Sequence, residues 1–335
     1  MQAAIYGLSG AELTKDERDF FRDADPAGYI LFKRNCSTPE QLRKLNDELY
    51  TLSGRPDLPI LIDQEGGRVA RMQPPEWPAF PKAEAFATLY SLAPSSAIEA
   101  TRVNARALAL MLRAVGVNVN CLPVLDVRQP DASDIVGDRS LGDSPMQVSA
   151  LGRAVLDGMA SAGVVGVVKH MPGHGRALVD SHKELPVVTA SDEELGIDLE
   201  PFERLRWAPM GMVAHVVYTA WDSELPASLS PTVIRSIIRD RIGFDNLLMT
   251  DDLGMHALTG DMGSRAARAV AAGCDIALHC SGDMDEMKSV AAAVPQLTAD
   301  GEARLARAMA GTLNEEDDID FAEAVAKRDS LLALV

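Results

Sequence analysis

Leu247-Leu248-Met249-Thr250-Asp251-Asp252-Leu253-Gly254-Met255 is a short apolar run that ends abruptly in two carboxylates. It is too short for a buried helix and lacks the alternation of a half-exposed strand, so it reads as a strand buried on both faces, with Asp251 the first residue past the apolar run. The same unit recurs along the chain, bounded by Gly, Pro or Asp, at 3–8, 28–32, 59–62, 117–122, 164–168, 212–216, 247–250 and 275–279. Amphipathic stretches separate these runs at 39–52, 97–115, 147–162, 231–239 and 265–272, each long enough to cross back over a sheet. Eight strands with helical crossovers predict an α/β fold, a single (β/α)8 TIM-type barrel. The rival is an open doubly wound sheet, which has about five to seven strands and often a phosphate-binding glycine loop after the first. Here the first strand ends in Gly7-Leu8-Ser9-Gly10, which matches neither GxGxxG nor GxxxxGK[ST].

Nothing in the composition divides the chain, so residues 1–335 are expected to form one barrel domain with C-terminal helices over about 284–335. Residues 284–294 and 303–313 read as closing helices, and the acidic stretch 314–320 as a solvated connection. At 47% hydrophobic and 24% charged residues, the 335-residue chain has the composition of a globular protein with a sizeable core. A formal charge of -17 argues against nucleic acid as a partner, because binding a polyanion usually requires a basic face. The four cysteines, Cys36, Cys121, Cys274 and Cys280, are scattered without a CxxC pair and read as reduced core residues. The first residues lack the pattern of a signal peptide and no apolar run approaches the ~20 residues of a membrane helix, so the expected location is cytoplasmic, with no membrane partner.

Polar residues gather where the apolar runs end: Asp63-Gln64-Glu65, Asp126, Lys169-His170, His215, Asp251-Asp252 and His279. In a barrel these carboxyl ends share one face, the face on which such folds place their chemistry. All six histidines, at 170, 174, 182, 215, 256 and 279, fall at or just after the last four strands. The segment from Lys169 to His182, KHMPGHGRALVDSH, is too polar and too broken by Pro and Gly to be core. Asp180 and His182 stand two apart, so both side chains can point the same way. A carboxylate there would fix the imidazole tautomer and make His182 a general acid that becomes the base in a second step. The alternative is an ordinary surface Asp/His pair. Asp251 could attack an anomeric carbon to form a covalent glycosyl-enzyme. Two adjacent Asp residues could instead bind a metal or cap the next helix, for which Asp252 is the better candidate. In Ile62-Asp63-Gln64-Glu65-Gly66-Gly67-Arg68-Val69-Ala70-Arg71, Asp63 would accept from sugar hydroxyls and Arg71 would donate to them. Arg139 offers a further donor, although a lone loop Arg is usually solvated.

Taken together, the IDQEGGRV turn, the KHMPGHG(x)4DSH loop and the TDDLGM strand end resemble family 3 glycoside hydrolases, specifically the bacterial single-domain β-N-acetylhexosaminidases of peptidoglycan recycling. The resemblance implies that Asp251 is the nucleophile, His182 the acid/base residue oriented by Asp180, and that Asp63, Arg71, Arg139, Lys169 and His170 bind the N-acetylglucosamine (GlcNAc) unit. Larger members take an acid/base Glu from a second domain, for which 335 residues leave no room, and this strengthens the reading of His182. Met171 and Gly254 depart from residues common in the family, at positions without a chemical role. The implied activity is a retaining exo-β-N-acetylglucosaminidase that needs no cofactor. Its implied substrate is GlcNAc linked to 1,6-anhydro-N-acetylmuramic acid, with or without peptide. Three alternatives remain. One is a metal-dependent barrel hydrolase built from His170, His174, His215 or His279 with Asp251, although no HxH or HExxH spacing occurs. A second is a non-catalytic sugar-binding protein. The third is a phosphorylase, because a neutral His182 would not repel phosphate as a Glu would.

Overall fold

A computed structural model describes residues 1–130, 133–313 and 320–334. Eight strands, Gln2–Gly7, Pro26–Leu31, Ile60–Ile62, Val119–Asn120, Val165–Met171, Met210–Val213, Leu247–Thr250 and Ala277–His279, pair in parallel in chain order. The eighth lies beside the first through Ala4 and Ala277, and a parallel bridge between Met249 and Ile276 joins the seventh to the eighth. The ring is therefore a (β/α)8 barrel, as the eight apolar runs predict.

Every strand is buried on both faces, which is why its sequence reads as a continuous apolar run. Within that run the period of two still sorts the side chains. Ala3, Ile5, Leu61, Val165, Val167, Met210, Met212, Leu247 and Met249 fill the barrel interior with their neighbours. The alternate residues Ala4, Tyr6, Ile60, Ile62, Val168 and Leu248 pack outward against the helices. Helix Ala299–Met309 contributes Leu305, Ala308 and Met309 to the interior cluster, so the C-terminal extension closes the end of the barrel opposite the strand carboxyl termini. Helix Phe321–Leu332 begins at Asp320, whose carboxylate accepts from Glu323 N, and it packs on helix Pro94–Ala114. Of the acidic connection expected over 314–320, residues 314–319 lie outside the described residues.

Several boundaries differ from the sequence expectation. The sixth strand starts at Met210 and ends at Val213, not over the expected 212–216, so Ala214, His215 and Val216 lie past its end. Those later residues leave the barrel, and Val217–Tyr218 pairs with Val187–Val188 in a separate parallel ribbon. They stay buried there, so hydrophobicity alone does not mark where the ladder ends. The fifth strand runs through Lys169 and His170 to Met171, because charged residues at a barrel mouth can remain in the ladder. The stretch expected as a helix at 231–239 is wound wider, as a π-helix over Val233–Arg241, with Ile242 N bonded five residues back to Ile237 O at 2.8 Å. The four cysteines are free, and Cys121, Cys274 and Cys280 are buried. Among the described residues no helix is long and apolar enough to cross a membrane.

Candidate active site

A cavity of about 260 Å³ opens at the carboxyl ends of the strands. Asp63, Arg71, Arg139, Lys169, His170, His182 and Asp251 all line it, and Asp180 stands behind His182. The residues expected to act together are thus brought to one place from the third, fifth and seventh strands and from two loops.

The third strand turns at once into a tight hairpin, Gln64–Gly66 against Val69–Ala70. Gly66 and Gly67 have φ of +98° and +55°, and a Cβ on Gly66 would stand 2.3 Å from Pro81 O, so the turn requires glycine. Gln64 clips the hairpin by accepting from Arg71 N and Met72 N at 2.8 and 3.0 Å. Its backbone is tied in turn to the Asn120 side chain. With Gln64 turned into the protein, Asp63 and Glu65 face the cavity together.

Those two carboxylates organise three cations. Arg71 Nη2 lies 2.9 Å from Asp63 Oδ2, and Lys169 Nζ lies 2.9 Å from Asp63 Oδ1 and 2.7 Å from Glu65 Oε1. Arg139 grips Glu65 with two bonds of 2.8 Å and donates to Ile135 O at 3.0 Å. Burial alone would raise both carboxyls. The charges of Lys169 and Arg71 outweigh it and hold Asp63 well below the carboxylate range, and those of Lys169 and Arg139 bring Glu65 to about 2. Burial works against charge on Lys169 and Arg139 too, but the carboxylates keep both firmly protonated. Glu65 carries this network although the sequence reading gave it no role. Its position two residues after Asp63 on an extended hairpin was the available signal.

At the end of the seventh strand, Asp251 is 9% exposed, its backbone N–H bonds Val213 O at 2.9 Å, and its Oδ1 accepts from Asp252 N at 2.8 Å. Burial would raise its carboxyl, yet His170, His215, the Asp252 amide and Lys169 together hold it below the ordinary value. Asp252 moves the opposite way, pushed up by burial and by the Asp251 charge despite the Gly254 amide. Two adjacent carboxyls are driven apart in proton affinity, with Asp251 the more acidic of the two. Asp252 does not cap the next helix: its Oδ1 accepts from Gly254 N at 2.9 Å in a local turn, and Asp261 caps helix Met262–Ala272.

The histidines separate by role. His215 is buried with both ring nitrogens engaged, by Ser228 Oγ at 2.6 Å and Asp252 O at 3.0 Å, and His279 bonds Glu286 at 3.0 Å. These two hold the framework, and His256 is exposed. His170, His174 and His182 line the cavity. His170 Nδ1 lies 2.7 Å from Asp126 Oδ2, so its Nε2 is the free nitrogen. Asp180 Oδ1 takes both the backbone N–H of His182 at 2.9 Å and its Nδ1 at 2.8 Å, leaving Nε2 to face the mouth. Among the described residues no group of three or more His, Cys, Asp or Glu is arranged to hold a metal ion.

The N-terminal domain of glycosyl hydrolase family 3 matches residues 4–310. The β-hexosaminidase of Alkalilimnicola ehrlichii is 39% identical over 282 residues, which cover 83% of this chain and 80% of that one. Among solved structures, native NagZ from Neisseria gonorrhoeae has a TM-score of 0.85 at 30% identity, covering 100% of this chain and 96% of its own. Its complex with N-trifluoroacetyl-D-glucosamine gives a TM-score of 0.85 at 31% identity and 97% of that chain. The chain therefore belongs to glycoside hydrolase family 3, in its β-N-acetylhexosaminidase branch.

Proposed function

We propose that the whole chain works as one catalytic unit, a retaining exo-β-N-acetylglucosaminidase of the cytoplasm. It removes GlcNAc from 1,6-anhydro-N-acetylmuramic acid, with or without its peptide, in cell-wall recycling. The observation that carries this reading is an ionised, buried Asp251 in the same small cavity as an imidazole oriented by a carboxylate. In the first step Asp251 forms a bond to C1 while the C1–O bond to the leaving sugar breaks and His182 Nε2 gives that oxygen its proton. In the second, His182 takes a proton from water, the water oxygen bonds C1, and Asp251 leaves as the carboxylate. Asp180 keeps the Nδ1 proton in place through both steps. The Asp63, Glu65, Arg71, Arg139 and Lys169 network supplies rigid acceptors and donors for ring hydroxyls. A cavity of about 260 Å³ suits one sugar residue, which supports exo action. The sugar analogue named for the Neisseria gonorrhoeae complex supports the choice of GlcNAc.

The test is turnover of an aryl N-acetyl-β-glucosaminide by the wild type, Asp251→Ala and His182→Ala, with and without phosphate and EDTA. Wild-type hydrolysis that ignores both additives, with loss of at least ~10³ in kcat for Asp251→Ala, is expected. Normal turnover by Asp251→Ala would sink the mechanism, a glycosyl phosphate product would make the enzyme a phosphorylase, and loss of activity with EDTA would favour a metal-dependent hydrolase. Comparing GlcNAc-anhydromuropeptides with chitobiose as substrates decides the leaving group.

A further inference from the structure

Asp126, at the carboxyl end of the fourth barrel unit, is fully buried and lies outside the chemistry described so far. Its two oxygens collect three donors. Oδ2 takes His170 Nδ1 at 2.7 Å, and Oδ1 takes the backbone N–H of His170 at 3.1 Å and that of His174 at 2.7 Å. Burial would raise this carboxyl, but His170 and His174 bring it to about 2, so it is an acceptor only at neutral pH. The Nδ1 of His170 must therefore carry a proton, which leaves Nε2 on the cavity side. His174, held by the same carboxylate, is where the chain turns away from the barrel. Its Nε2 lies 3.3 Å from the hydroxyl of Ser181, the residue before His182. Arg139 and Asp198 are the further charged groups whose fields reach Asp126.

We propose that Asp126 is a positioning residue for both parts of the site, fixing the tautomer with which His170 meets the sugar and anchoring the loop that carries His182. This rests on the assignment of Asp251 and His182 made above. The consequences differ by substituent. In Asp126→Asn the amide oxygen can keep both backbone donors, but the amide NH2 faces His170 Nδ1 and donates to it, so the ring proton must move to Nε2. That variant reverses the imidazole and spares the loop. Asp126→Ala removes all three bonds and frees the loop as well.

Two measurements test this. In ¹⁵N spectra of histidine-labelled protein, with the His170 signals identified by their loss in His170→Asn, the wild type should show Nδ1 protonated and Asp126→Asn should show Nδ1 bare. For an activated aryl glucosaminide, kcat/KM of Asp126→Asn should fall about 10- to 100-fold, with the thermal midpoint little changed. In a His170→Asn background the same substitution should cost less than threefold, because Asp126→Asn acts through that ring. For Asp126→Ala the additional loss should be larger with an alkyl than with an activated aryl leaving group, because only the former depends on proton delivery by His182. A bare Nδ1 in the wild type, or an Asp126→Asn enzyme within threefold of wild-type kcat/KM, overturns the proposal. The tautomer measurement needs no activity, so it decides Asp126 even if the wild type hydrolyses no glucosaminide and the functional reading falls.

Discussion

Lys169→Met tests whether the charged network at the mouth is compensated as the distances imply. The Lys169 side chain is 3% exposed and its ammonium touches two carboxylates, at 2.9 and 2.7 Å. At an effective dielectric of ~20 each contact is worth about 6 kcal/mol of attraction, against a desolvation cost of several kcal/mol for the ammonium. Removing one partner of such a group costs ~3–5 kcal/mol, and because Arg71 and Arg139 still hold the outer oxygens, the low end, about 3 kcal/mol, is expected at pH 7.5. At ~2 °C per kcal/mol for a chain of this size, the thermal midpoint falls about 6 °C. The sign with pH follows from the carboxyls. Glu65 titrates at about 2 and Asp63 is lowered further, both below their ordinary values of 4.5 and 3.8, so in the wild type they add stability above those values and lose it only as pH falls through the folded ones. Without Lys169 both carboxyls rise, because its charge is among the causes that lower them, so acid relieves the variant. Differential scanning fluorimetry at pH 7.5 and pH 5 should therefore show a smaller gap at pH 5. A gap that stays constant over that range would refute the account. Because Lys169 also helps hold Asp251 ionised, the acid limb of kcat/KM should move to higher pH.

His174 is buried, and burial lowers its imidazole from 6.5 to about 4, so the neutral form stabilises the fold above pH 6.5 and that contribution, about 3 kcal/mol, is lost as pH falls from 6.5 towards 4. His174→Gln should flatten the fall of the unfolding midpoint over that window, and an unchanged slope would count against a buried neutral ring. A Cβ on Gly175 would stand 1.9 Å from Val127 O, so Gly175→Ala must displace the loop. We expect a loss of ~1–3 kcal/mol by chemical denaturation and at least a tenfold drop in kcat/KM, with Gly10→Ala, which meets nothing within 4 Å, as the silent control. With an activated aryl substrate, His182→Ala should slow release of the glycosyl-enzyme more than its formation, visible as a burst in rapid-quench assays; equal slowing of both steps contradicts a dual role.

The barrel was legible because strands buried on both faces leave apolar runs that helices of this size rarely imitate, and because Asp251 follows such a run directly. Strand ends were less legible. Residues 214–217 stay buried after the chain has left the ladder at Val213, and Lys169 and His170 stay in the ladder although they are polar. Asp180 and His182 could be paired from their spacing, although the expected extended chain is in fact a turn, with Lys183 N and Glu184 N bonded to Asp180 O, and it is this turn that brings the two side chains together. Glu65 and Asp126 escaped because their roles are relational. A buried carboxylate is recognised by the donors around it, and those donors come from residues 74 and 44 positions away along the chain. The division of the histidines into framework and site was hidden for the same reason: nothing in the order of residues shows that His215 spends both nitrogens on Ser228 and Asp252.

The proposed nucleophile and the proposed acid/base group differ in how they are held. Asp251 is 9% exposed and continues a strand of the barrel, whereas the His182 side chain is 57% exposed and sits on a loop fastened at its base. On the proposed mechanism, bond making to the sugar is tied to the integrity of the whole fold, while proton delivery depends on a few local contacts. A substitution beside His182, past the buried base of the loop, can retune which leaving groups and acceptors are served at little cost to folding. A substitution beneath Asp251 has no such freedom, so variation in what this enzyme cleaves should arise in the loop first.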